Sequence, residues 1–328
     1  MNHFDLLDAT LLGVPTPHPP VSLWRHWPVA DQVPQGLAAA MVAWQLAHDF
    51  DFIKFMPSGT YSVEDWGVRT VYEPAAFGNR TVMRYAISQP GDWRALRPLD
   101  VSAGIMGMQN EALSLAARIL DNQVPILQTA FSPLTTALKL AGDVLWEHLA
   151  QDPDAVLQGL ATITETTIAF CRQAFAAGAH GIFLANQGAS TALLNDADFE
   201  RFNVQFDTQV LDAIAPQARY SMVHLHGNDV RFAQVVSRYA CNMISWHDRH
   251  TYPSISQARS LTDKVLVGGL EWSEMLSECT MTQLDDVIED GRRQSGGRRW
   301  VLAPGCVCPI SIPDTHVRHI VRRLRSGT

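Results

Sequence analysis

Eight short apolar runs, each bounded by Gly, Pro or Asn and each followed by a segment of helical period, constrain this chain more than any other feature. The runs begin at Val21, Asp51, Val124, Gly181, Tyr220, Asn242, Lys264 and Trp300. Apolar stretches of strand length alternating with amphipathic stretches of helix length are the pattern of β/α units. The helical segments span 35–48, 103–121, 134–177, 196–214, 229–239, 254–261, 282–291 and 314–324. Asp196, Thr282 with Asp285 and Asp286, and Pro313 with Asp314 place oxygen acceptors or negative charge where helices should start. The 134–177 stretch is too long for its proline content and should break near Asp152-Pro153, giving two helices.

Eight such units in 328 residues fit a (β/α)8 TIM barrel better than an open doubly wound sheet. The expected organisation is one domain over 1–328. Residues 61–97 break the rhythm: VRTVYE and TVMRYAI have β-like composition with Gly78-Asn79 between them, which predicts a hairpin inserted after the second strand. An insertion there would wall the C-terminal mouth of the barrel.

With 47% apolar and 18% charged residues, the chain buries enough surface to fold without disulfides or a structural metal. Any metal site would therefore be functional. A formal charge of -8 with no Lys/Arg run excludes a nucleic-acid partner, since phosphate binding needs clustered cations. No stretch is long and apolar enough for a membrane span, and the first residues, MNHFDLLDATLLGV, lack a positive targeting region, so a cytoplasmic location is expected. The five cysteines, an odd number without a secretion signal, read as reduced thiols. A homodimer is compatible with the chain, but no pattern in it sets the oligomeric state.

In a barrel the active site lies at the C-terminal strand ends. Those ends carry Arg25 and His26, Lys54, Gln128 with Ser132, Asn186 and Gln187, His224 and His226, His247 and Asp248, Glu271, then Cys306 and Cys308. The sharpest element is His224-Leu225-His226, because residues two apart on a strand share a face and two imidazoles could hold one ion. Cys306 leaves the last strand in a turn and supplies a soft third donor; two His and one Cys suit a catalytic zinc, with Cys308 or Glu271 in the fourth place. The competing reading has the histidines bonded to neighbouring strands and Cys306 as a small buried hydrophobe. His247-Asp248-Arg249-His250 reads either as a general acid/base group or as a solvated charged loop. Arg25 would clamp a carboxylate or phosphate, or pair with Asp51. Ser132, Asn186 and Gln187 are candidate substrate contacts. Gly268-Gly269 admits a close ligand or merely relieves crowding. Trp24, Trp27, Trp66, Trp246 and Trp272 read as core. No Gly-rich phosphate loop and no serine nucleophile elbow is present.

Several stretches together resemble the uroporphyrinogen decarboxylase superfamily. They are Pro20-Val21 followed by Arg25, Ser132-Pro133-Leu134-Thr135, Ala177-Gly178-Ala179-His180-Gly181, His224 to Gly227, Gly268-Gly269-Leu270, and Gly305-Cys306 with Pro313. The resemblance spans nearly the whole chain and implies a (β/α)8 barrel with its site at the C-terminal mouth. One branch of the superfamily is the cofactor-free tetrapyrrole decarboxylase. This chain keeps Arg25 from its amino-terminal motif, but Val29 stands where the second arginine belongs, 54–58 holds no substrate-binding aspartate, and Lys139 lies where its tyrosine falls. The other branch comprises zinc methyltransferases that move a methyl group from a corrinoid, often on a partner protein, to a thiol. Their His-x-Cys-Gly and Gly-Cys pattern falls on His224, His226 and Cys306, with histidine replacing the first cysteine.

The resemblance thus implies a zinc-dependent methyltransferase with a corrinoid methyl donor and a small-molecule thiol substrate. Under it, Arg25 would orient an anionic end of the thiol. Two alternatives stand beside it: a metal-free lyase acting on a tetrapyrrole or other carboxylate, with Arg25, His247, Asp248 and Glu271 as catalytic groups, and a non-catalytic corrinoid- or tetrapyrrole-binding protein.

Overall fold

The computed structural model describes residues 1–271, 273 and 275–326. Trp272 therefore lies outside the described residues. Seven parallel strands form one curled sheet: β1 (Ile53–Phe55), β4 (Ile126–Phe131), β5 (Gly181–Asn186), β6 (Tyr220–Leu225), β7 (Met243–Trp246), β8 (Val265–Leu270) and β9 (Trp300–Pro304), hydrogen-bonded in that order. Every residue of these seven strands is buried, as expected where helices cover the outside and side chains fill the inside.

The first apolar run closes the ring without forming a full strand. Val21 bridges Leu302 of β9, with Ser22 N–H to the Leu302 carbonyl at 3.1 Å and Leu302 N–H to the Pro20 carbonyl at 2.9 Å. On its other side, the Val21 carbonyl accepts from Asp51 N–H, the Val21 N–H donates to the Asp51 carboxylate, and the Ser22 hydroxyl donates to the Phe52 carbonyl. Pro20 has no N–H to extend the ladder, so a carboxylate and a hydroxyl stand in for missing backbone bonds. The expected run from Val21 is thus a strand position reduced to a short bridge, and the fold is a TIM-barrel-like α/β architecture.

The inserted hairpin is present, as β2 (Arg69–Val71) paired antiparallel with β3 (Thr81–Arg84). Its connection is wider than a tight Gly78-Asn79 turn, because Val71 pairs with Thr81. The chain after β3 is tied down by Ala86 and Ile87 N–H bonds to the Leu140 carbonyl, and the Tyr85 ring lies against Gly142. A Cβ on Gly142 would sit 2.7 Å from that ring, and the residue's φ of 67° is one that side chains rarely adopt.

Gly142 also explains why the long helical stretch breaks twice. The expected stop at Pro153 is there, but Pro133–Ala141, Val144–Gln151 and Pro153–Ala176 are three helices, since the chain leaves the helix at Gly142 as well. The helix expected over 282–291 runs Met281–Ser295 and is capped by Thr280, whose side chain accepts from Gln283 N–H, so Thr282 is not its cap. The 196–214 segment divides into Asp196–Asp198, a π-helical Phe199–Val204 and Gln205–Ile214. A first helix, His3–Leu12, was not anticipated in the strand and helix count; Asn2 caps it and Gly13 ends it in the left-handed conformation. No described helix is long and apolar enough to cross a membrane.

Candidate metal centre and cavity

Parallel pairing aligns the strand ends so that Ala185, His224 and Ser245 lie abreast on β5, β6 and β7. His224 and His226 project into the same space, one from the last full turn of the β6 pleat and one just past its end, where His226 N–H donates to the Asn186 carbonyl at 2.9 Å. Their ring centroids are 6.0 Å apart. Cys306, on the turn after β9, brings its sulfur to 3.6 Å from His226 Nδ1. His247, immediately after β7, completes the group, with its ring 4.7 Å from that of His226 and 5.7 Å from that of His224. One donor atom from each of His224, His226, His247 and Cys306 lies within 4.8 Å of all the others.

The chemistry of this donor set suits zinc. Burial pushes the imidazoles down, His224 well below its ordinary value, His226 to about 4 and His247 to about 3, so each offers a lone pair at neutral pH. Neutral nitrogens and one sulfur are borderline-soft donors, and donors about 2.0–2.3 Å from a common ion fit within such a cluster. The Ser245 hydroxyl engages Nδ1 of His224 at 3.2 Å, and Phe183 stacks on the same ring at 5.5 Å. Together they hold the imidazole in place and leave Nε2 for a ligand.

The cluster faces a cavity of about 650 Å³. His224, His226 and Cys306 are on its wall, Trp24, Phe131 and Phe183 give it apolar surface, and Phe77, Arg80 and Tyr85 of the insertion cover one side. Two lysines also line it. Lys54 is only 5% exposed, and burial lowers its ammonium to about 7; Lys139 falls to about 8 for the same reason. His26 lies on the same wall, held neutral near 3 by burial and by both lysines.

The other expected site residues are placed elsewhere, with one exception. Gln187 lines the cavity. Arg25 does not: its guanidinium donates to the Ile310 carbonyl and lies 4.1 Å from the Trp27 ring centroid and 5.1 Å from that of Trp44. Ser132 is fully buried as the cap of helix Pro133–Ala141. Asn186 bonds the buried Asp207 and Gly188 N–H. Cys308 is buried, its thiol pushed up to about 12, and its N–H bonds the Trp24 carbonyl; it is not in the donor cluster. Glu271 receives His250 at 2.6 Å and Ser273 N–H at 3.1 Å and is likewise outside that cluster.

The 247–250 segment is not a solvated loop. Asp248 is buried and accepts Gly269 N–H with both oxygens at 3.1 Å, while Arg249 donates to the Gly269 carbonyl and pairs with Asp290. The two glycines therefore relieve crowding: a Cβ on Gly268 would lie 2.4 Å from the Asp248 carboxylate. Sequence reasoning placed Lys54 at the barrel mouth without giving it a role, and missed His247 as a fourth donor and Lys139 as a cavity group.

Residues 24–326 match the uroporphyrinogen decarboxylase (URO-D) family. The chain belongs to this enzyme family. Within it, the chain is similar to two proteins named methylcobamide:CoM methyltransferase MtbA, from Methanosarcina acetivorans and Methanosarcina mazei, each 19% identical over 241 residues, covering 74% of this chain and 70% of the relative. Its fold matches a solved methyltransferase from Methanosarcina mazei with a TM-score of 0.86 and 19% identity over 100% of this chain and 99% of the other. A B12-independent methionine synthase from Shewanella shares the fold more distantly, at a TM-score of 0.60 and 11% identity over 94% and 92% of the two chains. Among URO-D members, the chain thus falls on the methyltransferase branch rather than with the true decarboxylases.

Proposed function

We propose that this URO-D protein is a zinc-dependent methyltransferase that moves a methyl group from a corrinoid, carried on a partner protein, to a small thiol. The observation that carries this reading is the convergence of three imidazoles and one thiol beside a cavity of about 650 Å³, with His224, His226 and Cys306 on its wall. The names of the methylcobamide-using relatives support the reaction class. His224, His226 and Cys306 would hold the ion, and His247 would take the resting fourth place that the sequence assigned to Cys308 or Glu271, giving it up to the incoming thiol.

When bound, zinc supplies a Lewis acid that lowers a thiol's pKa from about 8.5 into the neutral range. The chain's own residues do the rest. Ser245 and Phe183 fix the His224 ring, and the Asn186 carbonyl anchors the backbone of His226. Trp24, Phe131 and Phe183 keep water from the sulfur, leaving it a poorly solvated nucleophile. A methylated corrinoid would supply the electrophilic methyl carbon, the cobalt–carbon electron pair remaining with cobalt as the sulfur takes the methyl group, chemistry that belongs to the corrinoid. Arg25, engaged by Trp27 and Trp44, is turned away from the cavity, which weighs against the metal-free lyase reading.

Elemental analysis of the purified protein, with His224→Ala and Cys306→Ser beside it, tests the site, and incubation with methylcobalamin and a thiol tests the reaction. One zinc per chain, lost in both variants, and formation of the methyl thioether are expected. Full metal occupancy in both variants would reject these ligands. Tight methylcobalamin binding with no thioether formed would point instead to a corrinoid-binding protein without catalysis.

A further inference from the structure

Four polar side chains are buried together behind the donor cluster. Ala185 and Gln187 line the cavity, so Asn186 between them, at the end of β5, points to the opposite face of the sheet, toward the helices. There Asp207, on the helix Gln205–Ile214, accepts three hydrogen bonds at one carboxylate oxygen: from Asn186 Nδ2 at 2.6 Å, from Asn203 Nδ2 at 2.9 Å and from the Tyr239 hydroxyl at 2.8 Å. All four residues are buried. The same stretch of chain otherwise buries Phe199, Phe202, Phe206 and Val210, and apolar residues would fill this layer without the cost of taking polar groups from water. What a bonded polar network adds is one fixed geometry.

Asn186 carries that geometry through the sheet. Its side-chain oxygen accepts Gly188 N–H at 2.8 Å, closing a turn at the strand end, and its carbonyl accepts His226 N–H at 2.9 Å. Gln187 donates its own N–H to Thr135 Oγ1 at 2.8 Å. The turn lies hard against the network, since a Cβ on Gly188 would sit 2.9 Å from Asn203 Oδ1 and 2.6 Å from the Leu134 side chain. We infer that Asp207 is a positioning residue of the metal centre: held through Asn186, the end of β5 fastens the backbone of His226 in one place relative to the other donors. The inference rests on the proposed metal site and adds to it the part of the fold that sets its geometry. The rival role is a bond network that only ties the helix to the sheet.

Two measurements separate these roles: hydrogen–deuterium exchange of the metal-free protein, read at the His226 amide, and zinc affinity, read by chelator competition. Asp207→Leu and Asn186→Leu should each speed exchange at His226 severalfold and weaken zinc binding by about 10–100-fold, the range for losing a group that orients a ligand. The double variant should do no more than either single one, because both act along one path. Asp207→Asn keeps an oxygen for Asn186 and should return both readings to near those of the parent. Tyr239→Phe removes a different donor from the same oxygen and should lower the melting temperature while leaving both readings unchanged. If Tyr239→Phe matches Asp207→Leu in exchange and affinity, or if the Asp207 and Asn186 effects add, the inference is overturned and the network only ties helix to sheet. Should Asp207→Leu fail to fold, Asn186→Leu set against Tyr239→Phe decides by the same readings. A parent protein that takes up no zinc but shows the expected exchange pattern would reject the metal-site reading alone and leave the hold of Asp207 on the His226 backbone standing.

Discussion

The Ser245 hydroxyl on β7 lies 3.2 Å from Nδ1 of His224 on β6, and the parallel register that pairs these two residues makes the contact unavoidable. It fixes which nitrogen of His224 is left for an ion. Removing such an outer partner typically weakens metal binding by about 10–100-fold. Ser245→Ala should therefore keep the fold and lower zinc affinity within that range, as read by competition with a chromophoric chelator. Unchanged affinity would show that Phe183 alone orients the ring.

Asp248 links the donor next to it to the neighbouring strand through two bonds to Gly269 N–H. Gly268→Ala would push a methyl group to within 2.4 Å of that carboxylate. Overpacking of this kind costs about 1–3 kcal/mol. Lower thermal stability and reduced zinc occupancy are expected together, because the displaced Asp248 is bonded directly to His247 in the chain. Calorimetry paired with metal analysis checks both.

Arg25 is held away from the cavity. Its guanidinium stacks near Trp27 and Trp44 and bonds a backbone carbonyl outside the cavity. Arg25→Ala should cost about 0.5–2 kcal/mol of stability, the range of cation–π contacts, and leave the thiol KM unchanged. A raised KM at unchanged stability would restore the substrate-clamping role.

Asp207 sets a pH dependence of stability. It is fully buried, and burial raises its carboxyl to about 7 even though Asn186, Asn203 and Tyr239 all donate to one oxygen. Between about pH 4 and 7 the unfolded chain has ionised this group while the folded chain still holds the proton. The unfolded state binds fewer protons, so this group's contribution falls as pH rises, by up to about 1.4 kcal/mol per pH unit, and levels off above 7. Asp207→Asn should remove that slope from denaturant-melt stabilities measured between pH 5 and 8. An identical slope in the variant would show that the carboxyl is already ionised in the folded protein.

Cobalt substitution tests the donor count. A site of three imidazoles and one thiolate should give strong tetrahedral d–d bands and a thiolate charge-transfer band. Cys306→Ser should lose the charge transfer together with the d–d bands, because the metal is no longer held, whereas His247→Ala should keep the charge transfer and shift the d–d bands as the fourth donor changes. Spectra of His247→Ala that match the parent would remove His247 from the set.

The barrel was legible in the amino-acid sequence because its signals are local. Runs of strand length separated by helix-length segments specify β/α units whatever their neighbours do, and the alternation of side chains along β6 sends His224 and His226 to one side. What only tertiary structure decided is which strand ends meet. His247 joins the donors because β6 and β7 pair in a register that sets its ring beside theirs, a relation between residues some twenty positions apart that no local period encodes. Arg25 leaves the mouth because aromatic faces and a carbonyl outside the cavity offer its cation better partners, and Lys54 stays inside, where weaker ones surround it. Direction within a barrel depends on competing contacts from distant segments, and those exist only once the sheet has closed.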